Sequence, residues 1–131
     1  MEYVVLMTVI ALLQFVYFGV QVGRARGRFG VPAPATAGHP EFERYYRVQM
    51  NTLEQLAVFL PALWLFASYV SALWAAGLGA VFVVGRALYA RSYVRDPKSR
   101  SAGYALTLVP SLVLLIGVLV WALHALILRF A

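Results

Sequence analysis

Residues 41–70 read EFERYYRVQMNTLEQLAVFLPALWLFASYV. Glu41, Glu43, Arg44, Arg47 and Glu54 crowd the first half, and from Leu56 to Val70 no charged residue follows. A stretch that opens with two acids just after Pro40 suits the positive end of a helix dipole and predicts a helix over 41–70. The loss of charge halfway along means that this helix leaves water and enters lipid.

Ser71 interrupts the pattern, and residues 72–94 repeat it with the opposite polarity. They start apolar at Ala72 and become charged only at Arg86 and Arg91. Upstream, Tyr3 to Val22 is an apolar run broken by Gln14 and Gln21, about the length needed to cross a hydrocarbon core of roughly 30 Å. Gly23 to Pro40 (GRARGRFGVPAPATAGHP) is rich in Arg, Gly and Pro and reads as a polar connecting loop. Downstream, Asp96 and Pro97 read as an N-cap followed by proline at the first helical position, opening a last helix to about Leu128. Pro61 and Pro110 fall inside spans, where they favour kinks. The expectation is an all-α membrane protein, a four-transmembrane-helix bundle with helices over 3–22, 41–70, 72–94 and 97–128, forming a single domain over 1–131.

Composition agrees, because 63% hydrophobic and 12% charged residues leave too little polar surface to cover a soluble globule. Without cysteine there is no disulfide framework, thiolate nucleophile or thiolate metal site. The first span follows Glu2 rather than a basic segment and lacks a small-residue cleavage pattern, so it reads as a retained helix. The net charge of +6 belongs to arginines beside apolar spans, which points to membrane orientation rather than to nucleic acid. Arg24, Arg26, Arg28, Arg44 and Arg47 flank the first loop, and Arg86, Arg91, Arg95, Lys98 and Arg100 surround the last; only Arg129 lies elsewhere. The positive-inside rule places both charged loops in the cytoplasm and both termini on the far side. Lean Arg-rich loops and short tails suggest a bacterial inner membrane, although a protein of the endoplasmic reticulum would obey the same rules.

The second helix leaves the charged face and the third returns to it, so their charged ends share one depth. Arg47, Asn51 and Glu54, spaced i, i+4, i+7, fall on one helix face. Glu54 needs a partner at that depth, and Arg47 or Arg86 can serve, either at a functional site or in a structural ion pair. Arg86, Tyr89 and Tyr93 present a guanidinium and two phenols on one stripe that suits a small molecule carrying carboxylates; an interfacial aromatic belt is the alternative. Arg100, at the start of the last helix, opposes the helix dipole and calls for an anionic partner. His39 and His124 have no second ligand at i+3 or i+4, so no metal site is expected. Phosphate-binding loops and nucleophile elbows are absent. A polar path across the span is missing too, which disfavours a transporter.

The segments FERYYRVQMNTLEQLAVFLPALW (42–64) and GRALYARSYVRDPKSR (85–100) resemble the MAPEG family, the membrane-associated proteins of eicosanoid and glutathione metabolism. The likeness is greatest to its leukotriene synthase and microsomal glutathione transferase branch. The resemblance runs from about Gln21 to Arg100, and the pattern E-R-x-x-R-x-x-x-N-x-x-E over Glu43 to Glu54 carries it. It implies a homotrimeric glutathione transferase, with glutathione peroxidase activity as an extension, that joins the glutathione thiolate to a lipophilic electrophile drawn from the bilayer lipid. On that resemblance Arg47, Asn51 and Glu54 bind glutathione with Gln49 and Arg26 nearby, Tyr89, Tyr93 and Arg86 complete the pocket, and Arg100 is the catalytic group that stabilises the thiolate. Gln55 stands where the leukotriene synthase has a tyrosine, and Gly27 where it has a second arginine, which puts an eicosanoid substrate in doubt. A non-enzymatic member of the family lacks the arginines matching Arg47 and Arg100, both present here. The competing expectation is a lipid-binding or scaffold protein of the same fold.

Overall fold

The computed structural model describes residues 1–131. Helix α1 spans Glu2–Phe29, α2 Pro40–Tyr69, α3 Ala72–Arg95 and α4 Ser101–Phe130, with a 3-10 turn at Pro97–Ser99 between the last two. Each helix is long and apolar enough to cross a membrane. At 1.5 Å per residue, the 28 residues of α1 reach about 42 Å, more than a hydrocarbon core of about 30 Å. The charged helix ends therefore project beyond the lipid tails.

Two boundaries depart from the expectation by more than two residues, the end of α1 and the start of α4. Helix α1 continues through Gly23–Phe29, a segment read above as loop. Its arginines are good helix formers that offset the propensity cost of Gly23 and Gly27, about 1 kcal/mol each, and Arg26 and Arg28 in the last turn complement the negative helix end. Gly30 then stops the helix at φ 67°, with its N–H donating to the Arg26 carbonyl. His39, the last loop residue, caps α2: its Nδ1 accepts from the Glu41 amide at 3.1 Å and its ring stacks on Phe29 at 4.2 Å. Asp96 does cap a proline-led turn, accepting from the Lys98 amide, but that turn is the short 3-10 segment. Helix α4 starts only at Ser101, so Arg100 stands at its N-cap position rather than inside its first turn. Both α2 and α4 run through Pro61 and Pro110 as single helices.

Helix α2 packs against all three others, whereas α1 and α4 lie on opposite flanks. The core is built from Val4, Ala11, Leu56, Phe59, Leu63, Phe66, Phe82 and Leu114, with Phe59 and Phe82 stacked at 3.8 Å. Glycine brings α3 and α4 together. A Cβ added at Gly103 would lie 2.3 Å from the Tyr89 amide nitrogen, and one at Gly85 would lie 2.7 Å from the backbone of Leu106. Such small-residue contacts suit lipid, where helices associate by close backbone packing rather than by escape from water. Only 29 of 131 residues are buried, and Leu73, Trp74, Ile127 and Phe130 are among many large apolar side chains left exposed. With four spanning helices, this surface makes the chain a multi-pass integral membrane protein.

Candidate functional site

At the charged end of the bundle α2, α3 and the start of α4 line an open-sided cavity of about 670 Å³. Arg47, Asn51, Glu54 and Gln55 line it from α2, Tyr89 and Tyr93 from α3, and Arg100, Ser101 and Tyr104 from the α4 end. The i, i+4, i+7 spacing on α2 does bring its three polar residues to one wall. The glycine contacts of α3 with α4 hold Arg100 across from the two tyrosines.

Glu54 pairs with Arg47, Nη1 to Oε1 at 3.2 Å, with both side chains about half exposed. Such a pair adds little stability, on the order of 0–1 kcal/mol, so the fold alone does not account for the two charges. Asn51 is 7% exposed and its Oδ1 is buried without a hydrogen-bond partner. An unsatisfied acceptor of this kind is destabilising by about 1–3 kcal/mol unless a donor reaches it. Arg100 donates from Nη1 to the Pro97 carbonyl at 3.0 Å, which leaves most of its five donors free. Tyr89 is buried and its ring stacks on that of Tyr93 at 5.5 Å.

Arg86 lies beneath this wall instead of on it. It is fully buried, its Nη2 donates to Thr52 Oγ1 at 3.0 Å and Nη1 to Thr107 Oγ1 at 3.5 Å, and its guanidinium carbon sits 4.3 Å from the Tyr89 ring centre. No carboxylate pairs with it. Gln49 and Arg26 are elsewhere: the Gln49 side chain lies over Gly19 of α1, and Arg26 donates to the Ala35 carbonyl at 2.6 Å with its guanidinium 4.9 Å from the Phe42 ring centre. Both are on the α1 side of the bundle, outside the cavity.

Sequence reasoning passed over Ser101 and Tyr104, although Tyr104 is one turn beyond Arg100 on the same helix face. It also passed over Thr52 and Thr107, whose signal was a hydroxyl inside an apolar span. No cluster of three or more His, Cys, Asp or Glu side chains is present. Two guanidiniums, one carboxylate, an unsatisfied amide oxygen and phenols around one cavity match a small zwitterion with more than one carboxylate.

Fold and cavity together define a class, a four-helix membrane protein with a polar cleft at one end of its bundle. Comparison with known proteins makes the class specific. The MAPEG family pattern matches residues 4–120. The chain is 48% identical over 124 residues to an uncharacterised protein of Synechocystis sp., covering 92% of this chain and 90% of that one. It is 38% identical over 113 residues to human microsomal glutathione S-transferase 2, covering 86% and 77%. To the leukotriene C4 synthase of Bos taurus it is 39% identical over 95 residues, covering 72% and 63%. The chain belongs to the MAPEG family.

Proposed function

We propose that this protein is a membrane glutathione transferase that joins the glutathione thiolate to a lipophilic electrophile, with peroxidase activity toward lipid hydroperoxides as a secondary outcome of the same thiolate. The observation that carries the reading is the convergence of Arg47, Asn51, Glu54, Tyr89, Tyr93 and Arg100 on one cavity. Relatives named as a glutathione transferase and a leukotriene synthase support it.

Glutathione carries two carboxylates, an ammonium and a thiol. Glu54 and the free Asn51 Oδ1 suit the ammonium, Arg47 and the phenols suit the carboxylates, and Arg100 is left for the thiol. A free thiol titrates near about 8.5, and each unit of depression corresponds to roughly 1.4 kcal/mol of preference for the thiolate. A guanidinium in a cleft partly shielded from water supplies that preference by charge-assisted hydrogen bonding. The thiolate then forms a bond to the electrophile and its leaving group departs.

The cavity is open on one side. Arg26 and Gln49, on the opposite side of the bundle, reach such a site if a neighbouring copy presents them, and a homotrimer with sites between subunits provides that arrangement. By the positive-inside rule the cleft opens to the cytoplasm with both termini opposite, and the lean Arg-rich loops favour a bacterial inner membrane as its place. The electrophile enters from the bilayer.

The test is turnover of the detergent-solubilised protein with glutathione and an apolar electrophile. Arg100→Ala is expected to lose at least about a hundredfold in kcat while still binding glutathione, the pattern of a group acting on the thiolate. Binding without turnover in the wild type would instead identify a lipid-binding or scaffold protein.

A further inference from the structure

On the far side of the bundle from the cleft, α1 and α3 leave a groove of about 430 Å³ between them. Phe18, Ala87, Ala90 and Val94 form its apolar floor, and Arg91 and Arg95 stand at its mouth. The two arginines are one helical turn apart, so their side chains share a face. Both are exposed, and neither takes part in the structure's two ion pairs, Met1–Glu2 and Arg47–Glu54. The nearest acid in sequence, Asp96, accepts from the amide of Lys98 through Oδ1 and lines an adjoining hollow with the same two arginines, but it forms an ion pair with neither.

Depth gives the pair its meaning. Counting from Ala72 at 1.5 Å per residue, a hydrocarbon core of about 30 Å ends near residue 92. Arg91 and Arg95 therefore bracket the edge of the hydrocarbon core, within reach of the lipid phosphates, with Val94 beside them. Phe18, Ala87 and Ala90 lie below among the acyl chains, where Tyr17 and Gln14, whose amide donates to the Val83 carbonyl, also line the groove. Gln21 and Tyr45 line the groove as well and give it a polar wall toward its charged end.

We infer that this groove is a binding site for one anionic phospholipid, whose phosphate lies between Arg91 and Arg95 and whose acyl chain fills the channel between α1 and α3. Charge selects the occupant. Two unpaired guanidiniums above an apolar channel favour a lipid of net negative charge over a zwitterionic one, whose choline would bring a third cation to the same place. Simple orientation in the membrane requires only positive charge on this side, with no channel beneath it. Arg24 and Arg28 illustrate that case, since they line a separate, smaller hollow of about 170 Å³ at the end of α1.

The experiment is native mass spectrometry of the full-length protein in detergent, titrated separately with phosphatidylglycerol, phosphatidylcholine and inorganic phosphate. The wild type is expected to retain one phosphatidylglycerol per chain in preference to phosphatidylcholine. Arg91→Gln with Arg95→Gln should weaken that retention by about tenfold or more, whereas Arg24→Gln with Arg28→Gln, which removes the same charge elsewhere, should leave it intact. Equal retention of both lipids, or equal loss in the two double variants, overturns the proposal. Displacement of phosphatidylglycerol by millimolar inorganic phosphate overturns it in favour of a soluble anion. Absence of lipid in the wild type, together with a disulfide between copies carrying Ala87→Cys, overturns it in favour of a second protein chain in the groove.

Discussion

Substituting Gly103 by alanine tests whether the contact of α3 with α4 sets the geometry of the cleft. The new Cβ would lie 2.3 Å from the Tyr89 amide nitrogen and 2.5 Å from its Cα, and ordinary contact begins at 3.4 Å. Backbone cannot swing aside as a long side chain does, so the helices must separate by about 1.1 Å at that point. Overpacking of this kind is destabilising by about 1–3 kcal/mol, a fall in Tm of roughly 5 °C or more. Tyr89 is the residue pushed, and Arg100 is three residues from the substitution, so their separation across the cavity changes with it. A misplacement of about 1 Å lowers catalysis by on the order of a hundredfold. The assay is kcat with glutathione and an apolar electrophile, beside the thermal midpoint in detergent. Gly77→Ala is the control: nothing lies within 4 Å of its added Cβ, and alanine favours a helix over glycine by about 1 kcal/mol, so it should be neutral or stabilising. Wild-type turnover and midpoint in Gly103→Ala would refute the claim that this close approach positions the site.

Further predictions concern the cavity wall and what lies beneath it. Asn51→Leu removes the unsatisfied acceptor and should raise the glutathione Kd by about 10- to 100-fold, the worth of a hydrogen bond to a charged group, as measured by calorimetric titration. Glu54→Gln should leave the midpoint within a few degrees, because an exposed ion pair contributes at most about 1 kcal/mol, yet raise the Kd about tenfold. Arg86→Met should fold, since the Thr52 and Thr107 hydroxyls keep their bonds to the Val48 and Gly103 carbonyls and an apolar chain of similar reach avoids burying a charge. Losing the cation from the Tyr89 ring should nevertheless weaken glutathione binding by up to about thirtyfold; a variant that does not fold would show Arg86 to be a structural tie alone.

The four helices were legible because lipid imposes a simple rule: runs of about twenty apolar residues must be helical, and charge must gather at their ends. The helix ends were not, since local propensity and tertiary contact compete there. Gly23 and Gly27 looked like loop residues, but the arginines among them carried α1 about two turns further, to the αL stop at Gly30. The proline after Asp96 did mark a turn, though only a 3-10 one. Helical spacing brought Arg47, Asn51, Glu54, Tyr89 and Tyr93 to the same cavity. The same spacing gave no hint that Arg86, on the stripe with Tyr89 and Tyr93, is roofed over by Tyr89 and tied to two threonines from other helices. Those partners are 34 and 21 residues away in sequence, and no one-dimensional pattern pairs them. The separation of Arg26 and Gln49 from the cavity has a similar origin, because it depends on which side of α2 faces α1.

The account stands or falls on whether the cleft converts bound glutathione to its thiolate, and the ultraviolet absorbance of that thiolate reads it directly. Wild-type protein titrated with glutathione at neutral pH should show a saturable thiolate signal that Arg100→Ala loses while still binding the tripeptide. Glutathione binding with no thiolate signal in the wild type, or an undiminished signal in Arg100→Ala, would contradict it.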